Sequence, residues 1–109
     1  MVTSNKYHVE ISDTAKTDLH DIITYVFSQL SAPITALQLL EEFETTIASV
    51  IEMPQHIALV RDKKLAAMGY RQISVKKYAI FFRLSETKNT VNIVRIIYVK
   101  RNWAALLNP

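Results

Sequence analysis

The chain contains no cysteine, which removes disulfides and thiolate chemistry and fits a reducing compartment. A single glycine, Gly69, among 109 residues leaves no material for either glycine-rich phosphate-binding loop. The three histidines, His8, His20 and His56, lie far apart without a helical pair. No metal-ligand spacing is present, and neither a metal nor another cofactor is expected. Nothing resembles a nucleophile elbow or a Ser/His/Asp arrangement. No apolar run approaches the roughly 20 residues that a membrane span requires. Met1–Lys6 lacks the apolar centre of a signal peptide. The expectation is a cytoplasmic protein without a membrane partner.

Half of the residues are apolar and about a fifth are charged, a globular composition, and the length suits one domain over residues 1–109. Net charge is only +3, but its distribution is lopsided. Residues 1–54 hold two lysines against eight acids, a net −6, whereas residues 55–109 hold eleven Lys/Arg against Asp62 and Glu86, a net +9. Such asymmetry within one small domain implies a strongly positive face, suited to nucleic acid or to an acidic protein segment.

Tyr7, Val9 and Ile11 alternate with His8 and Glu10, the period of a half-buried strand. Ser12 offers an N-cap oxygen to a helical pattern in which Ala15, Leu19, Ile22, Ile23, Val26, Phe27 and Leu30 recur. Pro33 suits a first helical position. The second helix directs Ala36, Leu40, Phe43, Ile47, Val50 and Ile51 inward, leaves Glu41, Glu42 and Glu44 to solvent, and stops at Pro54. The short break at 31–33 demands an antiparallel helix hairpin. Residues 55–69 read as irregular. Strands follow at 70–75 and 78–84 around the tight turn Lys76-Lys77, and at 90–99 in a β-branched run. A short apolar tail, 103–107, closes the pattern. The order predicts an α+β domain whose antiparallel sheet carries the helix hairpin on one face.

The chemistry-bearing residues are mostly cations on or beside these strands. Arg71 shares a side of its strand with Ile73 and Val75, and Arg83 shares one with Ala79 and Phe81. Arg95 lies inside the last apolar run, where its charge must reach water or a partner. An ion pair with a helix carboxylate and a ligand-facing role both satisfy that demand. Lys100 and Arg101 follow the strand end. The sheet face opposite the hairpin is where these groups would collect, with Tyr70, Tyr98 and Trp103 as stacking surfaces. The carboxylates cluster on exposed helix faces, away from any acid–base arrangement.

The stretch from Gly69 to Arg83 resembles the paired central strands of RelE/ParE toxins: an aromatic and basic strand, a tight turn, then a tyrosine-led strand ending in an aromatic and an arginine. The segment from Val94 to Leu107 is similar to the ending of that family, an Ile/Val-rich strand with an arginine, a basic pair, an amide residue, Trp and two leucines. Ala15-Lys16-Thr17-Asp18-Leu19 resembles an element of its first helix. The resemblance spans nearly the whole chain.

It implies the toxin of a type II toxin–antitoxin (plasmid-stabilisation) system, held inactive by a cognate antitoxin with an acidic C-terminal segment. Operator DNA would be reached only through that antitoxin. Two target classes occur in the superfamily. ParE-like members stall DNA gyrase, whereas RelE-like members cleave mRNA on the ribosome with basic residues and often a C-terminal tyrosine. The residues expected to bind target or antitoxin are Arg71, Lys76, Lys77, Arg83, Arg95, Lys100, Arg101 and Trp103. Arg71, Arg83 and Arg101 would carry catalysis in a nuclease. The arginine that RelE-type nucleases carry after the strand tyrosine is Ala79 here, and their terminal tyrosine aligns with Leu107. Those departures favour gyrase, with the ribosome-dependent endoribonuclease and an inert nucleic-acid-binding module as alternatives.

Overall fold

The computed structural model describes residues 7–107; the reading of Met1–Lys6 lies outside the described residues. Strand β1 (His8–Ile11) leads into helix α1 (Asp13–Thr24), whose last turn widens into a π-helical segment at Tyr25–Gln29. Helix α2 (Pro33–Glu52) returns antiparallel to it, followed by a 3-10 turn at Pro54–His56 and the short helix α3 (Lys63–Ala67). Strands β2 (Arg71–Val75), β3 (Tyr78–Ser85) and β4 (Thr90–Tyr98) precede a terminal helix, α4 (Trp103–Leu107).

The chain is α+β, as its patterning predicts, and the three hairpin-linked strands are antiparallel. The sheet order is β1-β4-β3-β2, and β1 joins β4 in parallel register, so the sheet is mixed. The helix hairpin supplies the crossover that such a parallel pair needs. Ser12 ties this corner together. Its hydroxyl accepts from Ala15 N at 3.0 Å as the N-cap of α1 and donates to Val94 O at 2.9 Å.

Both faces of the sheet are buried, one more than the sequence reading anticipated. Beneath the hairpin, Ala15, Val26, Ala36, Leu39, Phe43 and Val50 pack on Ile80, Phe82, Val91, Ile93 and Ile96. On the opposite face, Val60, Leu65, Tyr70 and Leu107 pack on Ala79, Phe81 and Ile97. The unbroken apolar run in β3 is what a strand covered on both sides requires. The 55–69 segment and the apolar tail therefore carry structure that their composition hides. Asp62 caps α3 by accepting from Leu65 N at 3.0 Å, and α4 seats Trp103 against Phe81 with ring centroids 5.2 Å apart.

Two local features redirect side chains. The π-helical turn, in which Leu30 N donates to Tyr25 O at 3.1 Å, shifts the helical phase. Leu30, which regular spacing would place in line with buried Val26, is consequently 55% exposed, while Phe27, also assigned to the buried stripe by periodicity, follows Leu19 and Ile23 on the outer side and is 53% exposed. In β4 the register slips between Phe81 and Phe82, which face Arg95 and Ile93 respectively, so Val94 is an extra residue. This bulge lets Val91 and Ile93 share the hairpin face with Ile96 rather than with Ile97.

Candidate functional site

The cations named from the sequence do not collect on the sheet face opposite the hairpin, because α3, α4 and the second core occupy it. Apart from Arg95, which sits mid-sheet opposite Phe81, they divide between the two ends of the sheet. Arg71 pairs across from Phe82, one residue before Arg83, whereas Lys76 and Lys77 form the turn at the far end of β3. Five strand steps of about 3.3 Å separate Tyr78 from Arg83, so the two groups stand roughly 17 Å apart along the strand.

At the first end, both arginines are engaged by the fold. Arg71 donates to the carbonyls of Ile57 and Gln55. Arg83 Nε donates to Met68 O at 2.9 Å, and its guanidinium lies 5.3 Å from the centroid of the Tyr70 ring. Arg95 is engaged still more firmly, with Nε 2.8 Å and Nη2 3.0 Å from the Asp18 carboxylate. Those hydrogen bonds raise its pKa further, opposed by partial desolvation and reinforced by the charge of Asp18. Of the two readings its position allowed, the ion pair with a helix carboxylate is the one realised. Trp103 and Tyr70 also work within the second core, although Trp103 additionally borders a shallow cleft with Leu59, Arg61, Gln72, Ser74 and Val99.

The other end is different. A cleft of about 740 Å³ opens between α1 and the sheet end, lined by Asp21, Ile22, Tyr25, Leu30, Lys77, Tyr78, Tyr98 and Arg101. Leu30, Lys77 and Tyr78 also border a second cleft, of about 300 Å³, that continues along α2 past Gln38 and Leu39 to Glu42 and Lys76. Together they make one groove with an aromatic and aliphatic floor and a mostly cationic rim. Lys76 stands 3.5 Å from Glu42. Lys77 and Arg101 make no side-chain ion pair among the described residues, and Lys100 next to them is exposed. Free cations beside apolar surface suit a carboxylate-bearing amphipathic segment.

Tyr78 is the centre of this floor. Its ring lies 5.7 Å from that of Tyr98 and 6.0 Å from that of Phe43. Partial burial pushes its phenol above the usual tyrosine range, helped by the nearby Tyr98 and Tyr25. At neutral pH it is a protonated hydrogen-bonding group rather than a base. Neither Tyr25 nor Tyr78 stood among the residues singled out from the sequence. The alternation with Ile80 and Phe82 was the available signal for Tyr78, and the regular helical spacing from Asp21 and Ile22, one turn earlier on the same wall of the cleft, was the signal for Tyr25. Among the described residues, no group of three or more His, Asp or Glu side chains is placed to hold a metal, and no helix is long and apolar enough to cross a membrane.

Comparison with known proteins bears on this architecture. No curated protein sequence matches the chain. Among solved structures it is similar to one described as a chromosomal ParDE toxin–antitoxin system from P. aeruginosa. The TM-score is 0.68 at 19% identity, over 87% of this chain and 98% of that one. It is also similar to the toxin–antitoxin complex RelBE2 from Mycobacterium tuberculosis, with a TM-score of 0.59 at 19% identity, over 85% and 91% of the two chains. At such identities these likenesses establish the fold. The family model for the ParE toxin of the type II toxin–antitoxin system parDE matches residues 9–103, which include the hairpin, all of the sheet from Val9 onward and the cationic turn. The chain therefore belongs to the ParE toxin family of type II toxin–antitoxin systems.

Proposed function

We propose that this toxin inhibits growth by blocking DNA gyrase, without cleaving nucleic acid, and that a cognate antitoxin holds it inactive by laying an acidic C-terminal segment in the tyrosine-floored groove. The observation that carries the gyrase reading is the fate of two positions. Ala79 is fully buried and Leu107 is 6% exposed, both in the core behind the sheet. Where RelE-type nucleases carry an arginine and a tyrosine, this chain has packing residues that can neither donate to a phosphate nor exchange a proton. Removing one placed oxyanion donor costs about 100- to 1000-fold in rate. The cations that remain are spread over the length of the sheet: Arg71 and Arg83 at one end, Arg101 at the other.

The antitoxin reading is supported by the groove itself, with Lys77 and Arg101 unpaired beside Tyr25, Tyr78 and Tyr98. A carboxylate-rich segment gains steering from the +9 half of the chain as well as contact with the apolar floor. Under this reading the protein works in the cytoplasm, stabilises the plasmid or locus that encodes it, and reaches operator DNA only through its antitoxin.

The target is tested by adding purified toxin to a gyrase supercoiling reaction and, in parallel, to a translation reaction whose mRNA ends are mapped. Lost supercoiling with intact message is the expected result. Cuts in ribosome-bound message at near-stoichiometric toxin, with gyrase untouched, would establish the endoribonuclease instead. Activity in neither reaction, with unhindered growth, would leave a nucleic-acid-binding module that retains only the fold.

A further inference from the structure

The side of the molecule covered by α3 carries a second set of cations, apart from the tyrosine-floored groove. Arg61, Lys63 and Lys64 stand exposed along α3, and Arg83 joins them from β3. Arg83 Nε donates to the carbonyl of Met68, the residue that ends α3. A guanidinium is well placed there, at the negative end of a helix. Lys64 lies one turn before Met68, ~6 Å along the axis, and Arg61 immediately precedes the capping Asp62. Four cations thus run from one end of α3 to the other, over roughly 10 Å.

These charges are not neutralised by the fold. None of the four has an ion-pair partner among the described residues, and Arg83 keeps both terminal nitrogens free of protein partners. The half of the chain from residue 55 onward holds only two acids, Asp62 and Glu86. The Asp62 carboxylate accepts from Leu65 N, and Glu86 borders a cleft with Gly69 and Arg71. With both counted against the four cations, the face stays positive.

What the face lacks decides its partner. Between residues 60 and 98 no large apolar side chain is exposed, so there is no apolar floor for an amphipathic acidic peptide. The rings here are turned inward: Tyr70 is 6% exposed, Phe81 is fully buried and Trp103 stacks on Phe81. Unpaired bases therefore find no stacking platform. A row of exposed cations on polar surface instead matches the phosphates of a duplex, one per ~3.4 Å of axis on each strand.

We propose that the α3 face binds the phosphate backbone of duplex DNA through Arg61, Lys63, Lys64 and Arg83, without reading its sequence. Phosphate contacts carry no base information, so the choice of operator stays with the antitoxin. The face lies across the sheet from the helix hairpin, and the tyrosine-floored groove remains open. The contact itself needs no gyrase. Its consequence, that the toxin also holds the DNA on which gyrase acts, rests on the gyrase reading.

The purified full chain is titrated into a short labelled DNA duplex, without gyrase or antitoxin, and binding is read by fluorescence anisotropy. Micromolar affinity is expected at ~50 mM salt, falling about 40- to 150-fold by ~200 mM, as contact with three to four phosphates requires. Lys63→Glu/Lys64→Glu should weaken binding at least ~10-fold and reduce the salt slope by about 2. Its circular dichroism melt should stay close to that of the parent, because both side chains are exposed. Lys77→Glu/Arg101→Glu, an equal change of net charge in the groove, should cost less than ~3-fold, because distant charges are screened. No binding at ~100 µM toxin overturns the proposal. So does an equal loss in the two variants, which would reduce the attraction to net charge alone. Tighter binding to the single strand, or to an RNA duplex of the same sequence, would name another partner and overturn it as well. A toxin that holds the duplex through α3 yet leaves supercoiling untouched would refute the gyrase reading and support this one.

Discussion

Asp18 of α1 grips Arg95 of β4 through two hydrogen bonds, at 2.8 and 3.0 Å, and accepts a third from the backbone of Ile96 at 3.0 Å. The three bonds join residues about 77 positions apart in the chain and close the stretch of β4 edge that extends past the end of β1. One carboxylate thus neutralises a half-buried guanidinium and satisfies a strand N–H that would otherwise have no partner.

Asp18→Ala should therefore lower stability by about 2–3 kcal/mol, below the 3–5 typical of a fully buried pair, because both side chains retain some exposure, at 14% and 19%. Asp18→Asn, which keeps an acceptor for Ile96 N–H, should cost about half as much. Urea unfolding of the two variants measures both. Equal losses would mean that the charge of Asp18, rather than its acceptor oxygens, is what matters.

The titration of Tyr78 gives a signed pH dependence. Its folded pKa lies above the unfolded value of 10.0, so between the two the unfolded chain has lost a proton that the folded chain retains. Stability from this group is present below pH 10 and is lost as the pH rises through the folded pKa. Tyr78→Phe should flatten the fall in melting temperature above pH 10 and remove a step above the ordinary tyrosine range from the phenolate absorbance titration.

Lys76 occupies the left-handed region, at φ 55°, in the β2–β3 turn. A lysine there stores roughly 1 kcal/mol that asparagine or glycine would relieve, and its exposed contact with Glu42 contributes little in return. Lys76→Asn should raise the melting temperature by about 4 °C. A lower melting temperature would show that the contact with Glu42 outweighs the backbone strain.

Production of the chain alone should arrest bacterial growth, and co-production of its neighbouring gene should restore it. Replacing Lys100 and Arg101 with glutamate should slow antitoxin association, more at low salt than at high, because the effect is one of screened steering. Association rates that do not vary with salt in that variant would remove the cationic rim from the docking surface.

The sequence by itself determined the two long helices, the four strands, their order and the family, since alternation and helical spacing record which side of each segment leaves water. It also determined which residues carry positive charge, and it narrowed Arg95 to two readings. What it could not contain were relationships between segments. That β1 runs parallel to β4, that one carboxylate 77 residues away claims Arg95, and that a bulge at Val94 exchanges the faces of β4 are outcomes of long-range pairing. The site moved for the same reason. Residues 55–69 and the apolar tail fold over the face that appeared open, and the groove forms instead where the hairpin meets the β2–β3 turn and the end of β4. Local pattern records burial but not the neighbour that causes it, so the cations were legible in the sequence while the surface they share was decided by packing alone.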